Sequence, residues 1–196
     1  MNLPHGRWLP GFRADLVAEA MPSIGLPVLV RCLLGERRFR PSGPTAETWN
    51  VAAHSLLVGL IMLRLRDHWP DLPGDVLLAK ALCHDLHEAF LGDIPQPVKQ
   101  HLPEFGRLEA EVDGGLLHEY LGIPVGTSPE MQKNIHAAVK HCDNVALVLE
   151  AELFGMTLET RPDQFPDNFL KDVRRCGGSG TWLYNEHVDF RLGERP

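Results

Sequence analysis

The chain has few cysteines, no CxxC pair, no long apolar run and no concentration of positive charge. Its four cysteines, Cys32, Cys83, Cys142 and Cys176, are widely separated. That spacing suggests neither a zinc ribbon nor a disulfide scaffold, and a reduced, cytoplasmic protein fits it best. No hydrophobic stretch approaches the roughly 18 residues of a membrane span. The start MNLPHGRWLPGF lacks the cationic-then-apolar layout of a secretion signal, so a soluble protein with no membrane partner is expected. The formal net charge is −7, with Lys and Arg dispersed, which argues against a surface that coats a nucleic-acid polymer. A few local cations or a metal ion can still hold one phosphate. What remains is 196 residues, 44% hydrophobic, enough for one domain with a sizeable core.

Strand signals are scarce, and the periodicity predicts an all-α fold. The first 45 residues are rich in Pro and Gly, with a short helix expected near 12–20 and one apolar run, LPVLVRCLL. A long helix is expected from Thr45, as N-cap, to about Trp69, and a second from Gly74 to Phe90, stopped by Gly92, Pro95 and Pro97. A third runs from Pro103 to Gly122, weakened by Gly114 and Gly115, and a fourth from the cap at Ser128 to Phe154. The tail after Met156 is again Pro- and Gly-rich, with one amphipathic piece at DNFLKDVRR. A single domain over 1–196 is expected, its core at about 45–156 and its two ends packed on that core.

The densest chemistry lies in HDLHEAFLGDIPQPVK, which begins at His84. Adjacent helical side chains stand about 100° apart, so His84 and Asp85 can reach one cation, with Glu88 stacked one turn above His84. Asp93 follows at the mouth of a Pro-rich loop. A carboxylate not spent on the metal, next to a metal-bound water, is what hydrolysis needs. Two further polar groups interrupt apolar helical runs: His54 in NVAAHSLLVGL and Asp143 in AVKHCDNVALVLE. Burial penalises a charged imidazole and an unpartnered carboxylate, and a shared cation relieves both. Taken singly, His54 reads as a hydrogen-bonded core histidine and Asp143 as an acid answering Lys140. Taken together, His54, His84, Asp85 and Asp143 make a mixed nitrogen and oxygen set for one divalent ion, whether Mn²⁺, Co²⁺, Fe²⁺, Ni²⁺ or Zn²⁺. His68, His101 and His118 read as exposed or helix-end residues, and His87 faces either the cleft or solvent.

Competing motifs are missing. There is no HExxH, no HxxEH, no GxSxG elbow and no P-loop, and the GGSG near residue 177 has no Lys-Ser/Thr after it. The set His54, His84-Asp85 and Asp143 resembles the signature of the HD-domain metal phosphohydrolases. More narrowly, HDxxEAFLGDIPQPVK is similar to the YfbR-like 5′-deoxynucleotidase branch, over about half of the chain. An HD-GYP protein would show HDxGK, and a stringent-response hydrolase HDxxED, whereas Ala89 follows Glu88 here.

The resemblance implies a compact HD-type helical bundle with the metal site between helices, and hydrolysis of a phosphoester on a small deoxynucleotide. It also implies a homodimer or higher homo-oligomer, in the cytoplasm or, for a phage-borne chain, in that of the host. His54, His84, Asp85 and Asp143 would be the ligands and Glu88 the residue acting on water. Asp93 would position that water or the leaving 5′-oxygen. Lys99 would meet the phosphate, and Arg38 with Phe39, which replaces the more usual Trp, would sense the sugar. Two alternatives to monophosphate hydrolysis stay open: release of tripolyphosphate from a dNTP, as in small phage-type dATP-removing enzymes, and a non-catalytic, metal-stabilised interaction protein.

Overall fold

The fold is described from a computed structural model, which places residues 25–38, 49–94, 99, 103–114, 121–122, 128–154 and 168–179. Among these residues there are seven α-helices and no strand: α1 Leu26–Gly35, α2 Val51–Leu65, α3 Gly74–Cys83, α4 Glu88–Leu91, α5 Pro103–Gly114, α6 Pro129–Phe154 and α7 Phe169–Arg175. A 3₁₀ turn, Arg66–His68, continues α2. The architecture is the all-α one expected. None of the described helices is long and apolar enough to cross a membrane.

Local chemistry sets the helix starts. Ser128 caps α6 as expected, its Oγ accepting the Met131 amide at 3.2 Å, with Pro129 at the first helical position, where a missing N–H costs nothing. The start of α2 differs from the expectation. Asn50, not Thr45, is its cap, with extended backbone (φ −131°, ψ 170°) and a side chain that accepts the Ala53 amide at 2.9 Å. Asn50 is extended because its backbone pairs antiparallel with Arg37. Flanking bonds run from the Arg38 amide to the Trp49 carbonyl and from the Val51 amide to the Glu36 carbonyl. That small bridge brings the chain after α1 against the first turn of α2. The run LPVLVRCLL, for which no element is predicted, is helix α1, with a proline in its first turn. The expected helix at 12–20 lies outside the described residues, as does the stretch 115–120 after α5.

Two apolar clusters form the interior. Val58, Ile61, Met62 and Leu65 of α2 pack with Val76, Leu77 and Ala81 of α3, with Ile135 to Val148 of α6, and with Phe169 and Val173 of α7. Leu29 and Leu33 of α1 pack with Val51, Leu86, Leu91, Phe105 and Val112. Helix α2 therefore passes from one cluster at Val51 to the other at Val58, and the chain crosses back between Ala81 and Leu86. The residues at the seam are His54 on α2 and His84-Asp85 after α3. On the far side, buried Asp172 of α7 accepts His141 Nε2 at 3.0 Å, and Arg175 pairs with Asp67 at 2.8 Å. These contacts pin α7 to α6 and to the end of α2.

Candidate metal centre

The segment carrying His84 and Asp85 is not the continuous helix expected from Gly74 to Phe90. Helix α3 ends at Cys83 and α4 begins at Glu88. Between them the amides of Leu86 and Glu88 reach back three residues, to the carbonyls of Cys83 and Asp85. These are tightened turns rather than α-helical ones. The reason is tertiary: Leu86 joins the second apolar cluster while His87 turns toward α5. Gly92 ends α4 at φ 77°, ψ 161°, a region only glycine occupies readily, and so swings Asp93 away from the helix axis. The Asp93 amide then donates to Glu36 Oε1 at 3.3 Å.

The four residues singled out from the sequence come together. His54 Nε2 is 3.1 Å from Asp143 Oδ1 and 3.5 Å from Asp85 Oδ2. His84 Nε2 is 3.1 Å from Asp85 Oδ2 and 3.8 Å from Asp143 Oδ1. Both rings have their other nitrogen committed. His54 Nδ1 donates to Glu150 Oε1 at 2.6 Å, and His84 Nδ1 donates to the Ala81 carbonyl at 2.8 Å. Each Nε2 is left buried with no hydrogen-bond partner, and buried polar atoms are ordinarily satisfied. Two bare imidazole nitrogens facing two carboxylate oxygens fit a divalent ion, since a metal-bound histidine ordinarily gives its second nitrogen to a carboxylate or carbonyl. His54, His84 and Asp85 offer ligand atoms within 4.8 Å of one another. Asp143 closes the fourth side and also takes Lys140 at 2.6 Å through Oδ2. The pairing with Lys140 and the cluster role therefore coexist in one side chain.

The electrostatics follow from this packing. Burial works against a charged His54, but the carboxylates of Asp143 and Glu150 beside it outweigh burial and push its pKa up to about 9. Burial likewise opposes charge on Asp85 and Asp143, yet the neighbouring imidazoles hold both carboxyls below the usual carboxylate range. Ligation needs the neutral imidazole and the ionised carboxylates, so metal uptake displaces any proton held among them. Arg38 completes the charge balance: its guanidinium lies 3.5 Å from Asp85, 3.7 Å from Asp143 and 3.3 Å from Glu150.

Glu88 offers a carboxylate within 4.8 Å of ligand atoms of Asp85 and His87, but its electrostatics differ from those of Asp85. It is buried, with Oε2 unpartnered, and burial, reinforced by the charges of Asp85 and Asp93, raises its pKa well above the ordinary glutamate value. Lys99 is committed elsewhere, with its Nζ 2.6 Å from Glu109 Oε1 and over the Phe105 ring. Phe39 lies outside the described residues, as do His101 and His118. His68 ends the 3₁₀ turn after α2, partly exposed.

Three residues outside the four-residue cluster matter here, two of them, Glu150 and Trp49, with no role expected from the sequence. Glu150 and Trp49 surround His54 and Arg38. His87, open between cleft and solvent in the sequence, is buried, with Nδ1 on Asp113 and Nε2 on Glu109, each at 3.1 Å. Burial disfavours its charge, but the two carboxylates prevail and push its pKa up to about 10. A histidine with a raised folded-state pKa stabilises below its unfolded value and loses that contribution as pH rises through the folded one. The gap in denaturation midpoint between wild type and His87→Gln is therefore expected to be widest below about pH 6.5 and to shrink toward pH 10. A gap independent of pH would mean that His87 is neutral in the fold.

A helical bundle that closes two histidines, an adjoining aspartate and an aspartate from a third helix around one point is the arrangement of the metal-dependent HD phosphohydrolases. Residues 37–153 match the 5′-deoxynucleotidase YfbR-like family, and the chain belongs to it. It is 34% identical over 117 residues to the uncharacterized protein YfdR of Escherichia coli (strain K12), a match covering 60% of this chain and 54% of that one. It is 30% identical over 170 residues to an uncharacterized protein of Rhodobacter capsulatus, covering 84% of this chain and 81% of that one. The chain thus spans about half the length of YfdR.

Proposed function

We propose that the protein is a divalent-metal-dependent 5′-deoxynucleotidase, which hydrolyses a deoxynucleoside monophosphate to the deoxynucleoside and phosphate. The observation that carries this reading is the pair of buried, unpartnered Nε2 atoms of His54 and His84, set against Asp85 and Asp143, with the buried acid Glu88 next to them. A purely structural ion has no use for that acid. His54, His84, Asp85 and Asp143 would hold the ion. When bound, it lowers the pKa of a water toward neutrality and offsets charge on the phosphoryl oxygens.

The chain's own groups do the rest. Glu88, whose burial favours the uncharged carboxyl, relays a proton from the attacking water to the departing 5′-oxygen: a P–O bond forms from water, the ester P–O bond breaks, and the alcohol leaves protonated. Asp93, placed by the Gly92 turn, orients the water or the leaving oxygen. Arg38 offers Nη1 and Nη2 to the nucleotide from the wall of the site. Lys99, paired with Glu109, adds positive potential for the phosphate and is freed for direct contact only by exchanging partners.

Activity on a panel of deoxy- and ribonucleoside mono- and triphosphates, with Mn²⁺ or Co²⁺, tests the reading. Orthophosphate from deoxynucleoside monophosphates supports it. Tripolyphosphate from dNTPs moves the protein to the triphosphohydrolase alternative, and no turnover with bound metal refutes catalysis. Arg38→Ala is expected to lower the deoxy-over-ribo preference by about tenfold or more, the scale of one lost charged hydrogen bond. An unchanged ratio in kcat/KM rejects a sugar-sensing role.

A further inference from the structure

Glu150 belongs to none of the motifs that pointed to the site. It stands seven residues after Asp143 on α6, two helical turns on, and so shares its face. The side chain is fully buried, where a carboxylate is costly unless every oxygen is satisfied. Its oxygens take donors from three places. Oε1 accepts His54 Nδ1 at 2.6 Å and Trp49 Nε1 at 2.8 Å, while Oε2 accepts Arg38 Nε at 3.3 Å. Trp49 and Arg38 are themselves joined through the backbone, amide of Arg38 to carbonyl of Trp49, at 3.2 Å. One carboxylate therefore fastens the chain after α1, the approach to α2 and a histidine of α2 to a single point on α6.

We propose that Glu150 is a positioning residue that ties ion binding to substrate recognition, fixing His54 with its Nε2 bare and holding Arg38 by its Nε edge. This rests on the phosphohydrolase reading, since it takes the four-residue cluster as the ion site and Arg38 as a substrate contact. The physical argument concerns alternatives. An imidazole without Glu150 is free to carry its proton on Nε2, where Asp143 Oδ1 at 3.1 Å would accept it, and a protonated Nε2 cannot ligate. A guanidinium without Glu150 would lean on Asp85 and Asp143, at 3.5 and 3.7 Å, competing with the ion for the same carboxylates. Anchored at Nε, Arg38 keeps its two Nη groups directed at the site whether or not those carboxylates are engaged.

The test is Co²⁺ titration into metal-stripped full-length wild type, Glu150→Gln and Glu150→Asp, read by visible absorption, with melting curves and with kcat and KM on a deoxynucleoside monophosphate. Glu150→Gln is expected to weaken Co²⁺ binding by about 10- to 100-fold and to raise KM. Glu150→Asp, its carboxylate drawn back by one methylene, should show smaller shifts in the same direction. A merely structural role would lower the melting temperature yet leave the Co²⁺ affinity and KM of the folded protein alone. That pattern overturns the proposal. Where Glu150→Gln does not fold, the aspartate variant decides by the same criteria. A wild type that binds Co²⁺ more tightly than Glu150→Gln but hydrolyses no nucleotide would refute the phosphohydrolase reading and leave the fixing of His54 supported. A wild type that hydrolyses, with variants matching it in affinity and KM, would refute the role of Glu150 alone.

Discussion

Asp85→Ala is expected to fold, to bind no stoichiometric divalent ion and to release no phosphate above background. Asp85 Oδ2 lies within 3.5 Å of both bare imidazole nitrogens and of the Arg38 guanidinium, so its removal opens one whole side of the cluster. The apolar packing that defines the fold does not depend on it. Leu86 next to it and Ala81 before it stay buried in their separate clusters. The double loss should therefore come without collapse, visible as an unchanged helical spectrum, loss of metal by elemental analysis, and loss of turnover. Full turnover in this variant, or an ion retained at one per chain, would sink the assignment of the site.

Glu88→Ala has the opposite signature: the ion stays and the rate falls, by about 10²-fold or more for a general acid/base. The prediction follows from the contrast between neighbours. Imidazoles on two sides hold the Asp85 carboxyl low, whereas burial and the charges of Asp85 and Asp93 hold the Glu88 carboxyl high. Two carboxyls three residues apart are thus pushed in opposite directions, a division of labour suited to one group that binds a cation and one that moves a proton. Glu88→Gln, nearly the same shape, serves as the packing control and should lose rate equally. If either variant loses its ion, Glu88 is a ligand and the proton must be handled elsewhere.

That His54, His84, Asp85 and Asp143 would meet was legible in the sequence because each interrupts an apolar helical run, and a buried polar group must be answered by something. Glu150 carries the same signal in NVALVLEA, but with Glu152 close by it reads as the solvated end of a long helix. The break between α3 and α4 was not legible, since HDLHEAFL suits a helix throughout. Contacts far away in sequence, Leu86 into the α1 cluster and His87 onto Asp113, decide it. The start of α2 differs for a related reason: Thr45 is a good local cap, but the pairing of Asn50 with Arg37 holds Asn50 itself extended, and the helix begins after it. Local propensity proposes an end to a helix, and a tertiary contact disposes of it.

The hydrogen bond from His84 Nδ1 to the Ala81 carbonyl has a consequence for how portable this site is. Ala81 is among the last four residues of α3, whose carbonyls have no partner within the helix. In an uninterrupted helix that oxygen would be taken by the amide four residues on, that of Asp85. Terminating α3 at Cys83 is thus what supplies the acceptor that orients the imidazole. The histidine's Nδ1 is thus anchored on main chain, a contact that no single side-chain replacement other than its own removes directly. Transplanting the His-Asp pair onto a continuous helix of another scaffold would carry over the ligands and lose the aim of one of them; the helix ending has to be transplanted with the pair.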